Sequence, residues 1–234
     1  MQYPGGKNHC GTYRAIINQI PPHATFIELF AGSAAIARHM RPAEQTILVD
    51  HNPECLKRLP GLPANTIRCR ADAIHWLRQV LGEEDRLSSS TFLYADPPYM
   101  HVRDYYGGPF SPADHEALLE LLLRTPGMVM ISGYRNALYN VMLAAWRRID
   151  FEVITRGRTM AVESLWMNYP APVVLHDPRY AGANYRVREN LARKKRRWKA
   201  RIERMPSEER QNLLEALCER LSPEEKQALA RNLG

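Results

Sequence analysis

The chain has 234 residues, 45% of them apolar and 24% charged, a composition typical of a globular protein and not of a disordered or collagenous chain. Its 32 Lys and Arg against 25 Asp and Glu give a formal net charge of +7, and it has no apolar run long enough to span a membrane. The N-terminus lacks the apolar segment of a secretory signal, and the four cysteines form no C-x-x-C pair. We therefore expect a cytoplasmic protein with reduced thiols and no metal site.

Short apolar runs alternate with helical segments through the first 150 residues. Such runs are typical of parallel strands buried on both faces, and their alternation with helices predicts a doubly wound, mainly parallel α/β sheet. Two later runs, 151–156 and 165–169, predict a terminal antiparallel strand pair. The other predicted strands are 25–29, 46–49, 66–69, 91–95 and 128–132, and the predicted helices are 34–40, 53–59, 73–81, 112–124 and 137–146.

The ends of the predicted strands carry small and acidic residues, and open sheets of this kind bind ligands at that edge. The first strand leads into Glu28-Leu-Phe-Ala-Gly-Ser33, a small-residue turn that lets a ligand approach the backbone. Asp50 follows the second strand, where it can accept hydrogen bonds from ribose hydroxyls, and Asp72 follows the third. The pattern fits a dinucleotide or S-adenosylmethionine, and the absence of a full G-x-G-x-x-G sequence disfavours a dinucleotide.

Asp96-Pro97-Pro98-Tyr99 follows the fourth strand and is the most specific motif in the chain. The two prolines make a rigid loop without N–H donors, so its carbonyl groups and the Asp96 carboxylate can face one spot. A flipped base with an exocyclic amine fits there, since Asp96 and the Pro97 carbonyl can accept its amino hydrogens while Tyr99 stacks on its face. Direct transfer of a methyl group to that amine would then depend on positioning and electrostatics, without a covalent intermediate.

Together with Tyr3-Pro-Gly-Gly-Lys7 and Asp50-His-Asn-Pro53, these motifs resemble the Dam-type adenine-N6-specific DNA methyltransferases over about residues 1–170. Residues 114–118, 131–134 and 165–169 follow the same family pattern. The resemblance implies a Rossmann-like methyltransferase sheet, S-adenosylmethionine as cofactor, and methyl transfer to N6 of a flipped adenine in DNA.

Position by position, the resemblance also implies roles for individual residues. Tyr3 and Lys7 would contact the methionine end of the cofactor, Asp50 its ribose and Asp72 its adenine amine. One departure from the family is Ala34, where a further glycine is usual. The implied catalytic residues are Asp96, Pro97, Pro98 and Tyr99, and the implied cofactor contacts are Tyr3, Gly6, Lys7, Glu28, Phe30, Ala31, Gly32, Ser33, Asp50 and Asp72.

A second departure concerns recognition of the target. Only 23 residues separate Asp72 from Asp96, which leaves no room for the target-recognition insertion of larger family members. Residues 179–204 carry eleven Lys or Arg against two Glu, the charge pattern of a polyanion-binding segment. We therefore expect the loop 100–110 and this basic helix to contact DNA. The candidate residues are Arg103, Tyr105, Tyr106, Arg193, Lys194, Lys195, Arg196 and Arg197.

The C-terminal part predicts a helical extension. An apolar stripe (residues 187, 191, 198, 202 and 205) could dock the basic helix, while 206–217 and 222–233 share a pattern typical of a helical hairpin, with a capping box at Ser222 and Glu225. The hairpin leucines need a partner, and a homodimer through these helices is one alternative. The predicted organisation is a catalytic domain at 1–176, the basic helix at 177–205 and the hairpin at 206–234.

Other functions remain open at this point. An RNA adenine-N6 or a DNA cytosine-N4 methyltransferase would use the same geometry, although Asp96 argues mildly against cytosine. A non-catalytic DNA-binding protein on the same fold is a different class of answer. It is disfavoured because a pure binder has no need for Lys7, Asp50 and Asp96 together.

Overall fold

The computed structural model describes residues 7, 11–57, 60–83, 86–100, 110–154, 159–182 and 184–233. The chain divides into two compact units. The first unit consists of Met1–Ile16 and His23–Ala171, and the second consists of Ile17–Pro22 and Pro172–Gly234. None of the helices in the described ranges is both long and apolar enough to cross a membrane.

A seven-stranded sheet forms the centre of the first unit, with the strand order β3-β2-β1-β4-β5-β7-β6. Strands β1 to β5 pair in parallel, and β7 is antiparallel to both β5 and β6. This arrangement confirms the predicted doubly wound, mainly parallel Rossmann-like sheet with a terminal antiparallel pair. The strands are β1 (Thr25–Leu29), β2 (Gln45–Asp50), β3 (Thr66–Arg70), β4 (Thr91–Ala95), β5 (Met128–Gly133), β6 (Arg147–Ile154) and β7 (Met160–Met167).

The helices of this unit flank the sheet. They are α1 (Thr12–Ile17), α2 (Ala35–His39), α3 (Ala73–Gly82), α4 (Pro112–Arg124) and α5 (Ala137–Met142). The prediction of a helix at 53–59 is wrong over its described part, 53–57, where Pro53–Leu56 forms a short 3-10 turn that the Asn52 side chain caps. The turn ends there because Lys57 has an extended backbone, with φ −59° and ψ 159°.

The last two strands begin earlier than predicted, and α5 is correspondingly shorter. Residues of β6 alternate between half-buried and exposed along its whole length. That pattern is typical of an edge strand, which a search for continuous apolar runs detects only in part. In contrast, all five residues of the central strand β4 are buried, as expected for a strand covered on both faces.

The α-helices in the described part of the second unit include α6 (Tyr185–Glu203), α7 (Ser207–Arg220) and α8 (Pro223–Leu233). The predicted capping box at the start of α8 is confirmed, since Ser222 N donates to Glu225 Oε2 at 2.8 Å and Glu225 N to Ser222 Oγ at 3.2 Å.

The apolar stripe of α6 is not buried. Trp198 is 60% exposed, and no residue of α6 is buried. The docking of this stripe therefore stays a prediction. The leucines Leu214, Leu217 and Leu229 of α7 and α8 are also exposed. A homodimer through these helices stays a prediction.

Candidate active site

The loops that follow β1 and β4 lie side by side at the carboxyl edge of the sheet. Leu29 and Ala95, the last residues of these strands, are paired in register, and Asp96 N donates to Leu29 O at 3.4 Å. The chain continues from β1 to β2 on one side and reaches β4 on the other, so the strand order reverses between β1 and β4. Open α/β sheets bind ligands at such a reversal. The fold thus brings the predicted small-residue turn next to the Asp-Pro-Pro-Tyr motif.

The turn after β1 has an unusual backbone. Phe30, Gly32 and Ala34 adopt left-handed conformations, with φ of 56°, 51° and 48°. A residue with a Cβ rarely adopts this conformation, and each such residue costs on the order of 1–3 kcal/mol unless its surroundings hold it. Ala34 adopts this backbone in spite of its Cβ, whereas a glycine at the same position would adopt it at a lower conformational free-energy cost.

Asp50 ties this turn to the end of β2. Its Oδ2 accepts a hydrogen bond from Gly32 N and its Oδ1 one from Asn52 N, both at 2.8 Å, and the residue is only 3% exposed. A carboxylate offers about four acceptor positions, so these two bonds leave capacity for the hydroxyls of a ribose. The predicted contact of Asp50 with a ribose stays a prediction.

Asp72 has a different local role in the structure. Its Oδ1 accepts a hydrogen bond from His75 N at 2.8 Å, so it caps the N-terminus of α3. The residue is exposed. The predicted contact of Asp72 with a cofactor adenine stays a prediction.

Glu28 is buried beneath the turn. Its Oε2 accepts a hydrogen bond from Ala37 N at 3.0 Å, which joins β1 to α2. Burial raises the pKa of Glu28 to about 8, although backbone N–H groups of α2 oppose the rise, and nearby Asp96 adds to it. Glu28 is therefore mostly protonated at neutral pH, and it contributes little negative charge to the site.

Four side chains from three parts of the chain meet at the motif loop. We call Lys7, Asp96, Tyr99 and Glu163 the Lys7 cluster. Lys7 Nζ lies 2.8 Å from Asp96 Oδ1 and 2.7 Å from Glu163 Oε1, and the Tyr99 hydroxyl accepts from Lys7 and donates to Glu163. The motif is thereby connected both to the N-terminal segment and to β7.

A further hydrogen bond fixes Asp96. Ser132 Oγ, at the end of β5, donates to Asp96 Oδ1 at 2.7 Å and lies 3.0 Å from the Tyr94 hydroxyl. The other oxygen, Oδ2, receives no hydrogen bond from any residue in the described part of the chain, and the Asp96 side chain is 19% exposed. Asp96 thus has one fixed oxygen and one that can accept a bond from a ligand.

The electrostatics of the Lys7 cluster favour a charged lysine. Lys7 is buried, and burial lowers its pKa, but Asp96 and Glu163 raise that pKa by more, so it lies well above the usual range. Burial raises the pKa of Glu163, and the charge of Lys7 opposes this rise. Two carboxylates therefore share one ammonium group in a place where water has little access.

Aromatic rings surround the motif. The Tyr99 ring packs edge-to-face against Tyr134, with ring centroids 4.8 Å apart, and Phe30 packs in the same way against Phe110 at 5.4 Å. Such rings can form the walls of a site for a flat heteroaromatic ligand. Pro97 is buried and Pro98 is half-buried, consistent with a rigid motif loop.

Sequence reasoning missed Glu163 and Tyr134 as site residues. Tyr134 was part of a family-like segment, and Glu163 was an acidic residue just before a predicted apolar strand, a weak signal. β7 starts at the edge where β5 ends, and Gly133 pairs with Ser164. This register brings Glu163 to the carboxyl edge of the parallel strands.

Several predicted residues are placed elsewhere or are not covered. Tyr3, Gly6, Arg103, Tyr105 and Tyr106 lie outside the described residues. No group of three or more His, Cys, Asp or Glu side chains in the described ranges could hold a metal ion. The five basic residues predicted to contact DNA are all exposed on α6, in the second unit: Arg193, Lys194, Lys195, Arg196 and Arg197.

No protein-family model matches the chain, and no curated protein sequence does. The chain is similar in structure to human methyltransferase-like protein 13 in complex with SAH, at 12% identity and a TM-score of 0.48 over 73% of this chain and 85% of that one. It is also similar to the N-methyltransferase NodS from Bradyrhizobium japonicum (9% identity, TM-score 0.46, 68% and 94% of the two chains). A third similar structure is the 23S rRNA methyltransferase ErmE (14% identity, TM-score 0.44, 71% of each chain).

Proposed function

We propose that this chain is an S-adenosylmethionine-dependent methyltransferase that transfers a methyl group to the exocyclic N6 of adenine in DNA. The observation that carries the proposal is the geometry of Asp96. Lys7 and Ser132 hold its Oδ1, whereas its Oδ2 accepts no described donor. An amino group has hydrogens to donate to that oxygen, so the site selects an amine and not a carbonyl group.

The neighbouring turn supports a cofactor of this kind. Asp50 retains acceptor capacity for ribose hydroxyls, and the backbone of the turn from Phe30 to Ala34 is available at the same edge of the sheet. S-adenosylmethionine supplies an electrophilic methyl group on a sulfonium. The residues of this chain would hold the amine, keep its lone pair directed at that methyl group and restrict water, which is catalysis by positioning and electrostatics.

The choice of adenine and of DNA draws on further features. Tyr99 provides an aromatic face beside Asp96, as a flipped base requires, and the motif Asp-Pro-Pro-Tyr with its surroundings resembles the adenine-specific enzymes. Helix α6 adds nine Lys or Arg against two Glu within its 19 residues, all on an exposed helix. Such a helix can neutralise backbone phosphates.

The test is the transfer of labelled methyl from S-adenosylmethionine to duplex DNA, single-stranded DNA and RNA, followed by digestion and nucleoside analysis. We expect N6-methyladenine from DNA with the wild-type protein, and a loss of at least about 100-fold in rate with Asp96→Ala, since one essential electrostatic contact is removed. Glu120→Gln, which changes an exposed side chain of α4, is the matched control and should act like the wild type.

Each other outcome changes a specific part of the proposal. Label found only in RNA, or as N4-methylcytosine, would contradict the substrate but keep the reaction. Label that persists with Asp96→Ala would contradict the role of the motif. If the wild-type protein neither transferred the methyl group nor bound the cofactor, the proposed activity itself would be overturned.

A further inference from the structure

The charges of the Lys7 cluster do not balance. Asp96 and Glu163 each bring a carboxylate, whereas Lys7 brings a single ammonium group that contacts both. Asp96 Oδ1 accepts from Lys7 and Ser132, and Glu163 Oε1 accepts from Lys7 and Tyr99. With both carboxyls ionised, the single ammonium group of Lys7 can offset only one of them, which leaves the cluster with a net charge of about −1.

Among the described residues, the neighbouring ionisable groups Glu28 and Tyr94 do not change this balance. Glu28 is mostly protonated at neutral pH because its pKa is about 8. The Tyr94 hydroxyl stays neutral, since burial raises its pKa well above the usual range. Lys7 remains charged, so the excess negative charge belongs to the pair of carboxylates.

We propose that Glu163 makes the site prefer a cationic sulfonium cofactor to its neutral thioether product. This inference rests on the proposed function, because S-adenosylmethionine carries a sulfonium and S-adenosylhomocysteine does not. With Glu163 the cluster is negative and attracts the sulfonium. Without that carboxylate, Lys7 would neutralise Asp96 and the attraction would disappear. Glu163 is thus a specificity-determining residue that favours exchange of product for fresh cofactor.

The expected size of the effect follows from the reaction. Before transfer, the methyl carbon has to lie within about 3–3.5 Å of the amine nitrogen. Because Asp96 holds that amine and Glu163 lies next to Asp96, the sulfonium then lies within about 10 Å of both carboxylates. At about 10 Å and an effective dielectric constant of about 20, one unit charge changes a dissociation constant roughly tenfold.

The experiment measures dissociation constants of S-adenosylmethionine and S-adenosylhomocysteine by isothermal titration calorimetry on the full chain, without nucleic acid. The quantity of interest is the ratio of the two constants, because the ligands share every group except the methyl on sulfur. A merely structural defect weakens both ligands alike and leaves that ratio unchanged. The variants are Glu163→Gln, which keeps the size and acceptor oxygen, Lys7→Gln, and the control Glu120→Gln.

We expect Glu163→Gln to weaken S-adenosylmethionine roughly tenfold with little change for S-adenosylhomocysteine. Lys7→Gln, measured at pH 8, where the unpaired carboxylates are charged, should shift the ratio in the opposite direction, and this variant tests the inference if Glu163→Gln fails to fold by circular dichroism. Glu120→Gln should leave both constants unchanged. An unchanged ratio in Glu163→Gln, with wild-type binding of both ligands intact, would overturn this inference alone. If the wild-type protein bound neither ligand, the proposed function would fall, and the inference with it.

Discussion

Replacement of Lys7 by methionine tests the energetics of the Lys7 cluster. Lys7 and Glu163 are 8% and 4% exposed, so the substitution leaves two carboxylates close together with little water to solvate them. Removal of one partner of a buried ion pair typically costs about 3–5 kcal/mol. Asp96 keeps its hydrogen bond from Ser132 and is partly exposed, so we expect a loss of about 3 kcal/mol in the free energy of unfolding.

The loss should depend on pH. Burial already raises the pKa of Glu163, and the charge of Lys7 opposes that rise, so without Lys7 the folded-state pKa of Glu163 lies further above its unfolded value and protonation stabilises the folded variant. The variant is then least impaired at low pH, and its stability falls further as pH rises through the folded pKa of Glu163. The difference between wild type and Lys7→Met should therefore be smaller at pH 5 than at pH 8. Adding Glu163→Gln should restore part of the lost stability at pH 8, because one of the unpaired charges is removed.

The assay is urea denaturation followed by circular dichroism at both pH values. Lys57→Met is the matched control, because Lys57 also pairs with a glutamate, Glu54, but on the surface, where both side chains are about two-thirds exposed. A pair of that kind is worth about 0–1 kcal/mol. If Lys7→Met costs no more than Lys57→Met, or if its cost is the same at pH 5 and pH 8, the reasoning about buried charge is wrong.

Three further predictions address a strained glycine, the buried acid and the basic helix. Gly127→Ala should lower the free energy of unfolding, measured by urea denaturation, by about 2–3 kcal/mol. The reason is that φ of Gly127 is +96° and a Cβ there would lie 2.6 Å and 2.7 Å from two backbone carbonyl oxygens. An unchanged denaturation midpoint would contradict this prediction. Glu28 has a folded pKa of about 8, so the stability that its protonated form contributes is lost as pH rises from about 4.5 to 8. Glu28→Gln does not titrate, so its stability relative to the wild type should rise over that range by at most about 1.4 kcal/mol per pH unit. Parallel curves of stability against pH for the two proteins would refute this prediction. Alanine at Lys194, Lys195 and Arg196 should reduce the slope of log K against log salt for duplex DNA by about 0.9 for each phosphate that the variant no longer neutralises, and an unchanged slope would show that α6 does not bind phosphate.

Much of the sheet could be predicted from the sequence because its strands have local signals. β1 and β4 are short apolar runs with the same bounds in the prediction and the structure, since a strand buried on both faces requires apolar residues at nearly every position. The predicted helix at 53–59 was wrong because the backbone is already extended at Lys57, directly after the 3-10 turn, and apolar periodicity does not show where a helix ends. The edge strand β6 was found only in part because its residues alternate in exposure.

The motif residues were found from residue type and order, whereas their partners were not. Asp96 and Tyr99 belong to a contiguous tetrapeptide whose chemistry can be deduced from its side chains. Glu163 has no such local signature, and its role depends on contacts with Lys7 and Tyr99. The apolar stripe of α6 predicts a face that needs a partner, but a local pattern does not say what that partner is.

The sequence by itself determined the order of the strands and helices, the small-residue turn and the Asp-Pro-Pro-Tyr motif, because periodicity and residue chemistry act over neighbouring positions. Only the tertiary structure decided which side chains meet at the motif. The antiparallel direction of β7 brings its first half to the carboxyl edge of β5, and this places Glu163 opposite Lys7 and beside Tyr99. Contacts between residues so distant in sequence follow from strand direction and register, which no local pattern specifies.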